Sequence, residues 1–179
     1  TGFNITIPFK SKVVKHLDIT NSHAKNIGVV NCVTIGKKIK GINTDWVGYT
    51  SSIKEKKISK NKKILILGYG GAAQAIFYGL KQKGYKNITV FNRTKKVIKF
   101  NSVYKYTKKY SLVGSYLSDA GLIINTTPIN PLEKKQIKLI KKNTVISDIV
   151  YKPRDTNFLK KFKENKKIFD ISMLIEQAI

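Results

Sequence analysis

Arginine is nearly missing from this chain. Of 35 basic residues only Arg93 and Arg154 are arginines, and the remainder are lysines set against ten acids, for a formal net charge of +25. A charge of that size can draw nucleic acid by releasing phosphate counterions. Base reading and bidentate phosphate contacts rely on guanidinium forks, however, and two do not make a binding face. The lysines occur in every segment beside abundant Ile and Asn, residues that share A/T-rich codons. Coding-sequence base bias therefore accounts for the charge. Most of it is expected to be solvated surface, and nucleic acid is not an expected partner.

Cysteine is the next scarcity. Cys32 alone excludes an internal disulfide and a multi-cysteine metal site. Within VVNCV it is expected to be a buried structural thiol. The two histidines, His16 and His23, lie in polar sequence without a ligand-spaced partner, which predicts solvated surface for both. No apolar run approaches the roughly 20 residues that span a bilayer, and no charged-then-apolar leader is read. The expectation is a soluble, cytoplasmic protein without a resident metal. At 179 residues and 41% hydrophobic, the chain can hold one full core and part of another.

Strands and helices alternate from residue 62 onward. KKILILGYG reads as a buried strand entering a glycine turn, and GAAQAIFYGLKQKG as a helix stopped by Gly84. NITVFNRT is the next strand, followed by a short helical stretch to about residue 100 and a weaker strand near Tyr110–Val113. LIINTTP ends a strand at a proline, EKKQIKLIKKN reads as a helix, TVISDIVY as a strand, DTNFLKKFKENK as a helix and KIFD as a last short strand. This alternation predicts an α/β fold with a doubly wound parallel sheet covered on both faces. The first 60 residues differ: a strand at NITIPF, short helical pieces at KVVKHLDI and SHAKNI, a hairpin at VVNCVTIGKKIKG, and a helix from about Thr44–Asp45, where either residue can cap it. The run KEKKISKNKK (54–63) reads as a surface crossing between the two parts.

ILILGYGGAAQAI carries G-x-G-x-x-A at Gly68, Gly70 and Ala73, after a strand and opening a helix, the context a dinucleotide turn requires. Gly68 makes the turn, Gly70 lets the backbone approach a pyrophosphate, Ala73 permits close packing, and free helix N–H groups face the phosphates. Some 20 residues on, an NAD site places an acid on the ribose hydroxyl. Here that stretch is FNRTKK, Asn92, Arg93, Thr94, Lys95 and Lys96, with no acid. Cationic and hydroxyl groups suit a 2′-phosphate, and Arg93 can also stack on adenine. NADP is the expected cofactor.

Seven ordered blocks, GFNITIPFK, GINTDWVG, LGYGGAAQA, FNRT, IINTTP, DIVYKPRDTNFL and MLIEQA, resemble the shikimate dehydrogenase family, and together they cover essentially the whole chain. The resemblance implies NADPH-dependent, reversible reduction of 3-dehydroshikimate to shikimate in aromatic amino-acid biosynthesis. It also implies a substrate domain joined to a Rossmann domain, with the active site in the cleft between. Residues 1–60 are then part of the substrate-binding domain, 61–170 the NADP-binding domain, and 171–179 the start of a C-terminal helix returning to the substrate domain. By position Lys10 matches the family's catalytic lysine and Asp45 its aspartate partner. The chemistry agrees: a lysine beside a carboxylate can polarise a ring ketone and protonate the alkoxide. Thr6, Asn31, Asp45, Tyr151 and Gln177 match substrate-binding positions. Gly68, Tyr69, Gly70, Gly71, Ala72, the 92–96 loop, Val97, Ile149 and Asp170 match the cofactor side. The implied partners are the small-molecule substrate and NADP, with a homodimer left open and no membrane.

The departures are specific. Asp170 and Ser172 stand where the family often has glycine, which would crowd or charge the nicotinamide side. Val97 replaces a frequent basic residue, with Lys95 or Lys96 near enough to substitute. Asn130 replaces a glycine but can adopt a left-handed turn. The resemblance further implies a preceding βαβ segment with a substrate-carboxylate Ser-x-Ser pair, so the chain reads as a fragment whose activity is impaired. Two other readings carry different expectations: an NAD-using quinate/shikimate dehydrogenase, opposed by the missing acid, and an inactive dinucleotide- or nucleic-acid-binding relative.

Overall fold

The computed structural model describes residues 1–54, 56–100, 103–150 and 152–169. The first part holds β1 (Gly2–Asn4), a 3-10 turn at Val13–His16, β2 (Ile19–Thr20), α1 (Ser22–Ile27), β3 (Cys32–Ile35), β4 (Ile39–Ile42) and α2 (Asp45–Lys54). Its sheet runs β1-β3-β4-β2. β3 pairs antiparallel with both β1 and β4, while β2 joins β4 in parallel. Helix α1 starts where the Asn21 side chain accepts the Ala24 N–H at 2.8 Å, and it stops at Gly28 in the left-handed region. Both are the local signals that bound a short helix.

The second part contains β5 (Lys63–Leu67), α3 (Gly71–Gln82), β6 (Ile88–Phe91), β7 (Val97–Phe100), β8 (Val103–Tyr106), α4 (Gly114–Leu117), β9 (Ala120–Asn125), α5 (Lys134–Ile137), β10 (Val145–Asp148) and β11 (Lys167–Phe169). Five strands form one parallel sheet in the order β11-β10-β9-β5-β6. The chain leaves β5 toward β6, then returns to build β9 on the other side of β5. The strand order thus reverses between β5 and β9, which is where such sheets bind ligands. This is the doubly wound α/β architecture expected from the alternating pattern.

Successive residues of β5 feed opposite faces of the sheet, as the two-residue period dictates. Ile64 and Ile66 join a core with Leu80, Leu122 and Ile124, while Leu65 and Leu67 join one with Leu117, Ile123 and Phe158. Both faces are covered, so the strand reads as an unbroken apolar run. Tyr49 and Ile53 of α2 lie in the first of these cores, and the Tyr49 hydroxyl donates to Ser147 Oγ on β10 at 3.1 Å. At Gly79 a Cβ would fall 2.9 Å from the Trp46 carbonyl oxygen, so α2 and α3 pack nearly backbone to backbone. The last helix of the first part is thereby seated on the parallel sheet.

Several local expectations are corrected. The stretch after β6 is an antiparallel hairpin, β7–β8, because the β-branched and aromatic residues of VIKF and VYKY favour strands and Ile98 is buried while Val97 is exposed. The strand expected near Tyr110–Val113 is a 3-10 turn at Tyr110–Leu112 leading into α4. The helix expected over EKKQIKLIKKN is only α5, opened by a reciprocal Glu133/Gln136 capping box; its dense lysines repel at helical spacing. DTNFLKKFKENK yields one 3-10 turn at Leu159–Lys161, fixed by burial of Phe158, Leu159 and Phe162. Cys32 is free but half-buried. His16 is exposed as expected, whereas His23 is half-buried, with Nδ1 2.9 Å from the Tyr78 hydroxyl and its ring against Trp46. Among the described residues no helix is long and apolar enough to cross a membrane, and no His, Cys, Asp and Glu cluster could hold a metal.

Candidate active site

Lys10 and Asp45 meet across the first part of the chain, Nζ to Oδ2, at 2.6 Å. The Asp45 side chain is 1% exposed and that of Lys10 is 15% exposed. Asp45 opens α2, where the helix dipole favours a carboxylate. Its second oxygen, Oδ1, accepts from Asn31 Nδ2 at 2.9 Å. Asn31 also donates to Thr44 Oγ1 and accepts the Thr44 N–H at 2.8 Å. One amide therefore fixes both the carboxylate and the residue before it. The Lys10 carbonyl accepts the Val30 N–H at 2.9 Å, which ties the lysine to the segment carrying Asn31. A buried pair whose second carboxylate oxygen takes a further hydrogen bond is the arrangement that offsets the desolvation of the charges.

The lysine stem also crosses the glycine turn. A Cβ built on Gly71 would lie 3.4 Å from Lys10 Cβ and 3.5 Å from its Cδ, so the stem packs at the start of α3. Gly68 has φ +103°, and a Cβ there would sit 2.5 Å from Thr126 Oγ1. Only glycine fits both the angle and the gap. Thr126 is itself held by donating to the Leu67 carbonyl at 2.8 Å. At Gly70 nothing lies within 4 Å of an added Cβ, and no side chain caps α3. The first amides of the helix are thus free to meet a pyrophosphate in an open approach. Tyr69 is buried, and burial pushes its hydroxyl up to about 12, so it stays neutral in the turn.

After β6 the chain exposes Arg93, Thr94, Lys95, Lys96 and Val97. Asn92 Nδ2 closes the loop by donating to the Thr94 carbonyl at 2.9 Å. Lys96 Nζ reaches the Tyr69 carbonyl at 3.5 Å, which brings the loop to the glycine turn, and Lys95 lies over the Tyr106 ring. No acid faces this loop in sequence, and the donor set fits a 2′-phosphorylated dinucleotide.

Other polar groups at the carboxyl ends of the strands were not singled out from the sequence. Asn125 ends β9; its Oδ1 accepts from the Thr127 N–H and hydroxyl, and its Nδ2 donates to the Thr127 carbonyl and to Asp148 Oδ1. Asp148 ends β10, is 1% exposed, and accepts from Thr156 Oγ1 at 2.6 Å and from the Val150 N–H. Burial raises its carboxyl above the usual range. These bonds shape the segments on either side of Ile149, which is half-buried with its N–H on the Asn125 carbonyl. Buried polar ends of adjacent parallel strands could have flagged both residues.

Of the expected site residues, the fold brings together Lys10, Asp45, Asn31 and the glycine turn of Gly68, Tyr69, Gly70, Gly71 and Ala72. Thr6 is exposed, on a turn closed by the Phe9 N–H to the Thr6 carbonyl, and makes no bond to the Lys10–Asp45 pair. Tyr151, Asp170, Ser172, Gln177 and the C-terminal helix expected at 171–179 lie outside the described residues.

Comparison with known proteins agrees with this geometry. Residues 1–33 match the model of the shikimate dehydrogenase substrate binding domain, and residues 52–176 that of shikimate / quinate 5-dehydrogenase. The shikimate dehydrogenase (NADP(+)) of Nitrosopumilus maritimus is 38% identical, over 99% of this chain and 70% of its own; that of Oceanobacillus iheyensis is 40% identical over 92% and 63%. The chain spans about two thirds of the length of these curated relatives. Among solved structures, shikimate dehydrogenase from Aquifex aeolicus superposes with a TM-score of 0.84 at 34% identity, covering 99% of this chain and 69% of that one. The Thermus thermophilus enzyme in complex with NADP(H) and shikimate gives 0.80 at 28%, with the same coverage. This chain belongs to the shikimate dehydrogenase family.

Proposed function

We propose that the chain carries the reducing centre of an NADP-dependent shikimate dehydrogenase, interconverting 3-dehydroshikimate and shikimate. The observation that carries this reading is the stem of Lys10, ion-paired to Asp45, lying against the dinucleotide turn at Gly71. Residues 1–60 supply the substrate side, with α2 seated on the parallel sheet, and residues 61–170 supply the cofactor side. The free amides at the start of α3 would hold the pyrophosphate, and Arg93, Thr94, Lys95 and Lys96 would receive the 2′-phosphate. The cofactor, when bound, would supply the hydride for the ring ketone. Lys10 Nζ polarises the ketone oxygen and gives it a proton as it becomes an alkoxide. Asp45 holds that ammonium in place through Oδ2 and can accept a bond from a neighbouring ring hydroxyl. Asn31 keeps the carboxylate from rotating. Shikimate in the Thermus thermophilus complex supports a polyhydroxylated ring acid as substrate. The lone, free Cys32 suits a reducing, cytoplasmic setting.

The test follows NADPH and NADH absorbance on adding 3-dehydroshikimate to the chain and to Lys10→Met, which keeps the stem against Gly71. Loss of the proton donor is expected to cut turnover by about 10²–10⁴-fold while NADPH affinity stays within about twofold. Turnover surviving in Lys10→Met removes Lys10 from its role, and oxidation of NADH in preference to NADPH overturns the cofactor assignment.

A further inference from the structure

Thr107 lies outside both the glycine turn and the cationic loop, yet it ties the loop down. After β8 the chain runs beside the end of β6, pairing Lys108 with Phe91 in an isolated parallel bridge. The Lys108 N–H donates to the Val90 carbonyl at 2.8 Å, and the Lys108 carbonyl accepts the Asn92 N–H at 2.9 Å. One residue earlier, the Thr107 N–H donates to the Lys96 carbonyl at 2.9 Å. Thr107 Oγ1 accepts the Lys96 N–H at 2.9 Å and donates to the Thr94 carbonyl at 3.3 Å. Thr107 is 5% exposed, so these bonds are shielded from competing water.

We propose that Thr107 is a positioning residue for 2′-phosphate recognition, holding the 92–96 loop in the shape that converges its cations on one anion. The inference rests on the NADP reading above. Arg93, Lys95 and Lys96 are exposed neighbours of one sign, and their mutual repulsion favours a splayed loop. Thr107 opposes that by gripping the Lys96 N–H and C=O and the Thr94 carbonyl at once. Its neighbour Tyr106 carries Lys95 over its ring at 4.2 Å, so the end of the β7–β8 hairpin places both lysines. A loop already ordered pays less to bind. The pyrophosphate meets the glycine turn instead, which Thr107 reaches only indirectly, through the Lys96 Nζ on the Tyr69 carbonyl. Its effect therefore falls chiefly on the 2′-phosphate.

Calorimetric titration with 2′,5′-ADP and with 5′-ADP separates the two. In the unaltered chain 2′,5′-ADP is expected to bind more tightly. Thr107→Val and Thr107→Ala are expected to weaken 2′,5′-ADP by about five- to tenfold, the order of one lost hydrogen bond, and to leave 5′-ADP within about twofold. Thr107→Ser, which restores the hydroxyl, should recover the discrimination; if the valine variant does not fold, the alanine–serine pair carries the comparison. Equal weakening of both probes, or alanine and serine variants that bind alike, overturns the role of Thr107 and leaves the NADP reading standing. An unaltered chain that binds 5′-ADP as tightly as 2′,5′-ADP overturns the NADP reading and this inference together.

Discussion

The two sheets of this protein solve the same problem to different degrees. In the parallel sheet, Ile64, Leu65, Ile66 and Leu67 of β5 and Leu122, Ile123 and Ile124 of β9 are all essentially inaccessible, because helices or turns cover both faces. The β1-β3-β4-β2 sheet has a smaller buried cluster, Ala24, Val30 and Val33, with Ile5, Val13, Val14 and Leu17 partly buried against it, while Phe3, Ile7, Phe9, Ile35 and Ile42 remain exposed. Yet the Lys10–Asp45 pair stands on this smaller-sheet region. Its order comes from polar ties, Asn31 to Asp45 and Thr44 and Val30 to Lys10, and from α2, which plants Tyr49 and Ile53 in the first region's core. Stability is concentrated in the parallel-sheet part and reaches the other chiefly through α2, with Ile27 and Val29 adding a second contact against Ala75 and Tyr78 of α3.

The largest test of that division is Ile66→Ala. Ile66 is fully buried at the centre of the core that α2 shares, and such a truncation is expected to cost about 2–5 kcal/mol. Denaturant unfolding followed separately by Trp46 fluorescence and by far-ultraviolet dichroism reads both regions. A coincident loss in the two signals is expected, since Trp46 sits on α2. If the Trp46 signal kept its midpoint while the dichroism shifted, α2 would not be the connection.

Asn31→Ala comes next and acts on the polar ties alone. It leaves Asp45 Oδ1 and the Thr44 N–H without their present partner in a buried setting, at an expected cost of about 1–3 kcal/mol. NADPH affinity should be unchanged, because Asn31 touches nothing on the glycine turn, while turnover falls as the carboxylate loses its orientation. A fall in cofactor affinity of the same size as the fall in turnover would show that the two regions are not separable in this way.

What could be read in the sequence follows the same line. The parallel sheet was legible because burial on both faces imposes long apolar runs, and the glycine turn because φ and close packing at Gly68 admit one residue. Lys10, Asn31 and Asp45 were legible only through family resemblance; nothing in a lysine-rich chain marks one lysine. The β7–β8 hairpin was not legible: VIKF followed by NSVYKY is short enough to fit a helix turn or a strand, and pairing between residues three to nine positions apart decided it. Thr107 was invisible for a related reason, since its partners Thr94 and Lys96 become neighbours only after that hairpin closes. Asp148 and Asn125 sit in strands whose apolar residues dominated the pattern, and the bond that joins them runs between strands 23 residues apart in sequence.

Ile35→Thr should have the smallest effect and gives the comparison its lower bound. Ile35 ends β3 opposite Ile39 and is 44% exposed. Threonine keeps the branched Cβ that suits a strand, and a side chain this open gives up little transfer free energy when it becomes polar. The expected change is within about 0.5 kcal/mol, against several for Ile66→Ala on the other sheet, measured by the same denaturant titration. A loss above about 1.5 kcal/mol would mean that the outer face of the smaller sheet is packed in solution. The active-site lysine would then rest on an apolar core of its own, and the stability lent through α2 would cease to be the reason the site is ordered.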